Sequence, residues 1–144
     1  MNGPPPPAPP THSFLRPALG LLAGLGLTAL IVGPGIIIAT LAMLRGVDPT
    51  TFRPSSANLA VYLVINAVGA FVGGLVAARI TVGRSFYTVF LLALVLFMSA
   101  MVTVLRAKDP AQAGPSWYTV GQAVIVLAAA LLGGVLERRR QAAA

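Results

Sequence analysis

The sequence predicts an all-α, polytopic membrane protein whose four transmembrane helices form two tandem helical hairpins. Hydrophobic residues make up 57% of the 144 residues and charged residues 9%, whereas an ordinary soluble domain has roughly 25% charged residues. Each of four runs without charged residues or histidine reaches the about 20 residues that cross a bilayer core. These runs are Pro17–Leu44, Ala57–Ala78, Ser85–Leu105 and Ser116–Leu136. Their hydrophobicity is continuous rather than alternating, which favours helices over strands.

The first run is longer than an upright span requires, because at about 1.5 Å per residue it would reach about 42 Å. Gly33, Pro34 and Gly35 lie within it. Proline lacks a backbone donor and clashes with the preceding turn, so we expect a kink here. The segment is either a hinge beside a site or a kink in a tilted helix whose tilt absorbs the surplus length. The stretch also exceeds the about 7–15 residues of a signal-peptide core, so we interpret it as part of the mature protein.

The second run is suited to close helix packing. Lipid chains are as apolar as leucine, so helices in a bilayer associate through close contacts and hydrogen bonds. Gly69 and Gly73 form a G-x-x-x-G pattern, and helical spacing places them on one face with Asn66. We expect the opposite face, which includes Phe71 and Leu75, to meet lipid.

The third and fourth runs carry fewer polar residues. Ser99 marks one side of the third run, and Gln122 and Gly133 repeat the pattern of the second run in the fourth. Asn66 and Gln122 are carboxamides within apolar runs, and an unpaired amide in hydrocarbon costs several kcal/mol, so each should face the bundle interior. Two interpretations stay open: each amide makes a hydrogen bond between helices, or the two line a polar path for a small solute or ion.

An internal repeat supports the arrangement in two hairpins. The pattern Leu-Arg-x-x-Asp-Pro begins at Leu44 and again at Leu105. The helix that follows each copy carries a glycine pair, Gly73-Gly74 and Gly133-Gly134. We therefore expect two hairpins of like orientation, an arrangement that builds some transporters and also inert bundles.

The positive charge points to a membrane rather than to nucleic acid. A net charge of +7 and a pI near 11.5 are typical of nucleic-acid binding, but the cations stand in small groups at the ends of the apolar runs, as in membrane proteins. With four spans, six cations share the side of both termini: Arg16, Arg79, Arg84, Arg138, Arg139 and Arg140. Four lie on the other side: Arg45, Arg53, Arg106 and Lys108. This bias places both termini in the cytoplasm of a multi-pass protein in the inner (plasma) membrane. Because the bias is modest, dual insertion stays open.

The sequence carries no recognisable catalytic chemistry. It contains no cysteine and a single histidine, His12, and the four runs contain no carboxylate that could titrate along a proton path. A serine without a nearby base is not a nucleophile. We therefore expect no enzymatic activity, no cofactor and no metal site.

The domain organisation is simple. Residues 1–13 are rich in proline, which favours an extended conformation, and we expect a disordered tail. Residues 14–140 form the predicted transmembrane domain, and residues 141–144 form a C-terminal tail.

A short stretch at the end of the second helix resembles a known group of proteins. Residues 73–80 read G-G-L-V-A-A-R-I, which is similar to the corresponding stretch in small, uncharacterised bacterial four-helix integral membrane proteins. The resemblance implies that fold and brings no activity with it.

Three functional hypotheses follow. The first is a structural or accessory membrane protein that associates with itself as a homo-oligomer, or with an unknown membrane partner, through its Gly/Ala helix faces. The second is a small channel or carrier in which Asn66 and Gln122 line a polar path. The third is an anchor that recruits a cytoplasmic partner through the proline-rich tail.

Overall fold

The computed structural model describes residues 15–48, 52–81, 85–106 and 115–143, which form four helices and no strand. The helices are α1 (Leu15–Met43), α2 (Ser56–Ile80), α3 (Ser85–Arg106) and α4 (Ser116–Ala143). The prediction of an all-α fold is therefore confirmed. The predicted tail, residues 1–13, and the second Leu-Arg-x-x-Asp-Pro copy beyond Arg106 lie outside the described residues.

Length and composition indicate a membrane-embedded protein. Helices α1, α2 and α4 are long and apolar enough to cross a bilayer, and α3 contributes a shorter apolar stretch, Phe86–Val102. The surface of the bundle exposes many large apolar side chains, and on α1 Leu22, Leu30 and Ile38 are each at least 65% exposed. Such a surface suits lipid, since soluble monomers rarely expose large contiguous apolar patches.

The helix ends follow local capping rules. Ser55 precedes α2 in an extended conformation, and its Oγ accepts a hydrogen bond from the backbone N–H of Asn58 at 3.3 Å. At the other end of α2, Thr81 Oγ1 donates to Ala77 O at 2.6 Å. A turn follows α1 in which Gly46 has φ +80°, the left-handed conformation that glycine adopts without strain.

Helix α2 is the central helix of the bundle. It packs along α1 on one side and along α4 on the other, while α3 lies against α4, α2 and α1. Buried alanines form the centre of these contacts, and Ala70, Ala77, Ala78 and Ala130 are fully buried. Because these side chains are small, the helix backbones approach closely.

In each of the two glycine pairs, the first glycine packs against one neighbouring helix and the second glycine packs against another. A Cβ on Gly73 would overlap Thr28 Oγ1 of α1, and one on Gly74 would overlap the carbonyl oxygen of Ala130 in α4. In the second pair, a Cβ on Gly133 would overlap the carbonyl oxygen of Phe71 in α2, and one on Gly134 would meet Val89 Cγ1 of α3 at 2.6 Å. Both pairs therefore join three helices.

The side of α2 that was expected to meet lipid is the exposed side of that helix. Val64 and Val68 are 62% and 49% exposed, and Phe71 and Leu75 further along the same side are partly exposed. The backbone at Phe71 and Leu75 also lies against Gly133 of α4, so this side narrows where α4 packs, which the sequence pattern did not reveal.

Candidate functional site

A partly open cavity of about 400 Å³ lies between the four helices. Each helix contributes one polar side chain to its lining: Thr28, Asn66, Ser99 and Gln122. The rest of the lining is aliphatic and includes Leu25, Ala29 and Val32 of α1, Val95 and Leu96 of α3, and Val126 of α4. The cavity is thus apolar with a few hydrogen-bonding groups, the usual composition of a small-molecule site.

Asn66 is 8% exposed and its hydrogen bond stays within α2. Its Nδ2 donates to the carbonyl oxygen of Tyr62, one turn earlier, at 2.7 Å. The sequence had suggested a hydrogen bond between helices at this residue, and the bond seen here joins two residues of one helix. A carboxamide offers two donor hydrogens and two acceptor lone pairs, so this bond uses a small part of its capacity.

Gln122 enters the cavity from α4. Its side chain is half-buried, and no hydrogen bond joins it to another described residue. Helices α2 and α4 run in the same direction, because Leu63 lies beside Gly121 and Gly74 lies beside Ala130. The structure therefore brings the two predicted carboxamides to one cavity.

Thr28 is a cavity residue that sequence reasoning missed. Its Oγ1 lies 2.8 Å from Gly24 O and 3.2 Å from Gly69 O, so the hydroxyl donates toward the backbones of α1 and α2 at once. A threonine inside a long apolar run gives by itself no indication of a functional role. The available signal was its position one turn after Gly24, on the small-residue side of the helix.

The cavity has a buried floor and an exposed mouth. Thr28, Asn66 and Val126 are each less than 9% exposed and form the floor. The exposed lining residues are Ala29 of α1 and Val95 and Ser99 of α3. The mouth therefore lies between α1 and α3, on the side of the bundle.

Below the mouth, α1 and α3 close against each other. A Cβ on Gly24 would meet Leu92 Cδ2 at 3.0 Å, and one on Gly20 would meet Thr88 Cγ2 at 3.5 Å. These contacts join the first halves of both helices. The gap between α1 and α3 is consequently limited to their middle and later parts.

A second polar group lies toward the start of α2. Thr40 Oγ1 donates to Ile36 O at 2.7 Å and lies 2.8 Å from Tyr62 Oη. Since the threonine has one hydroxyl hydrogen, the tyrosine hydroxyl donates to Thr40. This bond joins the last part of α1 to the first part of α2. Nothing in the sequence pattern pointed to it.

The predicted packing and hinge residues lie outside the cavity lining. Gly69, Gly73 and Gly133 are at helix contacts instead. Helix α1 continues without interruption through Pro34, which is exposed, and a Cβ on Gly33 would have no neighbour within 4 Å. Gly35 contacts Ile65 of α2, where a Cβ would meet Cγ2 at 2.8 Å.

Glu137 is a buried acid that the sequence pattern had placed just beyond the fourth span. It is 8% exposed, and Gln141 Nε2 lies 3.5 Å from its Oε1. Helix α4 extends past the predicted end of that span at residue 136 to Ala143. The carboxylate therefore lies within the helix bundle, away from the cavity lining.

The chain matches no protein-family model, no curated protein and no solved structure. The cavity and the helix contacts around it are therefore the features that bear on function.

Proposed function

We propose that the protein is an integral protein of the cell's inner (plasma) membrane with four spans and both termini in the cytoplasm. Helix α3 has 22 residues, about 33 Å at 1.5 Å per residue, which is enough to cross the core. The arginines at 138–140, which are exposed at the end of α4, support a cytoplasmic C-terminus.

Helix directions support two tandem hairpins of like orientation. Contacts between α1 and α2 run in opposite directions along the two helices, from Gly24 with Gly73 to Thr40 with Tyr62. Val89 of α3 lies against Gly134 of α4, whereas Ala93 packs with Ala130 and Val126 one turn further along. Each successive pair is therefore antiparallel, and α2 runs parallel to α4.

Within this bundle we propose that the cavity binds a small uncharged molecule, as the site of a carrier or channel. The observation that carries the proposal is the convergence of Asn66 and Gln122 on one cavity. Its volume of about 400 Å³ falls within the roughly 300–1,000 Å³ of ligand pockets. No charged side chain of the described residues lines it, and a bare charge in a low-dielectric site without a partner costs several kcal/mol, which favours a neutral molecule.

A purely structural or accessory role is the second candidate, and the exposed aliphatic face of α1 favours it. That role was expected to use the Gly/Ala faces. Gly69 and Gly73 pack against α1, and Gly133 packs against α2, so these faces are already buried in contacts within one chain. A partner would have to bind the remaining aliphatic surface.

Ligand-dependent stability tests the binding proposal. The purified chain is heated in detergent with a panel of neutral alcohols, amides and polyols, both water-soluble and lipid-soluble. A ligand at about 100 times its Kd stabilises the folded chain by about 2.7 kcal/mol, so the Tm should rise with at least one class. Flux of the stabilising water-soluble compounds is then followed in liposomes.

Matched variants identify the site. Gln122→Leu should abolish the Tm shift, whereas Gln141→Leu, which removes a carboxamide near the end of the same helix, should preserve it. If no compound gives a shift that depends on Gln122 while the variant stays monodisperse, the binding proposal is wrong and the structural role gains.

A further inference from the structure

The cavity opens sideways. Its exposed lining residues, Ala29, Val95 and Ser99, come from α1 and α3, and the two helices touch nearer their starts, at Gly20 with Thr88 and Gly24 with Leu92. When the helices cross a bilayer, an opening between two helix flanks faces lipid chains rather than water.

The depth of the polar floor agrees with entry from lipid. Asn66 lies ten residues into α2, which begins at Ser56, a distance of about 15 Å along the axis. Thr28 lies near the middle of α1. Asn66 and Thr28 are therefore close to the centre of a hydrocarbon core that is about 30 Å thick.

The lining defines the chemistry of an occupant. Leu25, Val32 and Leu96 offer an aliphatic wall, while Asn66 and Gln122 offer amide donors and acceptors. In hydrocarbon, an amide that lacks a partner costs several kcal/mol, so an occupant with a hydroxyl or carbonyl is favoured over a plain alkyl chain. A charged headgroup would lose its hydration without meeting an opposite charge.

From this geometry we infer that the cavity takes a neutral, lipid-soluble molecule, with an aliphatic body and a hydroxyl or carbonyl group, directly from the bilayer through the gap between α1 and α3. This inference rests on the proposed binding function and specifies its ligand class and its route of entry. The polar group of the ligand lies at Asn66 and Gln122, and its aliphatic body extends toward the mouth.

Photolabelling in a membrane tests the inference. The full chain is reconstituted in phosphatidylcholine vesicles with octanol that carries a diazirine on its chain, or with the same diazirine on octane. After irradiation, adducts are mapped by mass spectrometry. Octanol should label cavity residues of α1 and α3, and its cavity yield should exceed that of the octane probe by about tenfold, which corresponds to about 1.4 kcal/mol.

Two pairs of variants distinguish labelling inside the cavity from labelling of the outer helix surface. Gln122→Leu should lower octanol labelling of the cavity about tenfold and leave octane labelling unchanged, and Gln141→Leu should change neither. Ala29→Trp fills the mouth without touching the polar floor, and it should abolish cavity labelling. Leu30→Trp, on the neighbouring exposed position that does not line the cavity, should have no effect.

Three labelling results would each overturn the inference. Equal labelling by octane and octanol would indicate an unselective lipid groove, labelling confined to the outer helix surfaces would indicate no site, and labelling that survives Ala29→Trp would exclude this mouth. If water-soluble compounds give a Gln122-dependent Tm shift and octanol does not, this inference fails while the proposed binding function stands.

Discussion

Thr28 shows how one hydroxyl can join two helices in an apolar environment. Its single hydrogen is shared between Gly24 O and Gly69 O, and its side chain occupies the space that the absent Cβ of Gly73 leaves. Glycine and threonine are therefore complementary at this crossing. Hydrogen bonds of this kind in membrane proteins contribute about 0.6 kcal/mol on average.

We predict that Thr28→Val lowers the free energy of unfolding by about 0.5–1.5 kcal/mol, since valine keeps the shape and loses the donor. Thr28→Ser should retain most of the stability because it keeps the hydroxyl. Unfolding in mixed detergent and SDS measures both variants. A larger loss for Thr28→Ser than for Thr28→Val would show that the methyl contact, and not the hydrogen bond, is responsible.

A second residue-scale prediction concerns Gly74. Gly74→Ala places a methyl group on the carbonyl oxygen of Ala130, so the α2 and α4 backbones must separate, at an expected cost of about 1–3 kcal/mol. Gly26→Ala is the matched control, because a Cβ there has no neighbour within 4 Å. The same unfolding assay applies. A loss at Gly26 as large as at Gly74 would contradict the close α2–α4 contact.

Among the described helices, α1 combines the least burial with an internal proline. Its buried residues are Gly20, Gly24 and Thr28, all in the first half of the helix. Beyond Thr28, it contacts α2 through Gly35 with Ile65 and Thr40 with Tyr62. The part of α1 around Pro34 is therefore free of close packing on its outer side, which permits bending at that point.

We predict that Pro34→Ala stabilises the protein by about 1–3 kcal/mol, because alanine restores a backbone donor and removes the clash with the preceding turn. If the segment is a hinge, the same change should also reduce ligand-dependent flux. Thermal unfolding and flux are measured on one preparation. Lower stability in Pro34→Ala would show that the helix geometry set by the proline is required for packing.

At the scale of the whole molecule, the role of α3 decides how the chain is threaded. Helices α1, α2 and α4 meet the length and hydropathy expected of a span, and α3 contributes the shorter stretch Phe86–Val102. With four spans, the residues after α4 return to the side of the N-terminus. With three, they would lie on the opposite side, together with the turn after α1, and α4 would have to run antiparallel to α2 instead of parallel to it as their contacts show.

Cysteine labelling distinguishes these two topologies, and the chain has no native cysteine. Val47 is in the exposed turn after α1 and Ala142 is exposed near the end of α4. Four spans predict that Val47→Cys reacts with a membrane-impermeant maleimide on intact cells, and that Ala142→Cys reacts only after permeabilisation. Complete reaction of both cysteines on intact cells would indicate three spans. Partial reaction of each cysteine on intact cells, completed only after permeabilisation, would indicate dual insertion.

The helices were predictable because their signal is local and strong. An apolar run long enough to cross a bilayer forms a helix to satisfy its own backbone, so the predicted runs agree with the observed helices to within a few residues, apart from the longer end of α4. The inward position of Asn66 and Gln122, which both line the cavity, was also predictable, since an amide in hydrocarbon must find a partner or a polar space.

The arrangement of those helices was less predictable. Each glycine pair packs against two neighbours, and nothing in the Gly73-Gly74 or Gly133-Gly134 dipeptides specifies which residue meets which helix. Burial of Glu137 was missed for a similar reason. The first charge after an apolar run usually lies at the interface, whereas Glu137 is 8% exposed in the folded chain.

The sequence by itself determined that this chain forms apolar helices, where most of them begin and end, and which side chains are costly to leave in hydrocarbon, because these properties depend on neighbouring residues and on the surrounding solvent. The tertiary structure alone decided that α2 is central, that the two carboxamides meet at one cavity, and that the cavity opens between α1 and α3. These features depend on which helix surfaces come together, and in a chain whose surfaces are nearly all apolar, close fit between small residues selects among many pairings of similar hydrophobicity.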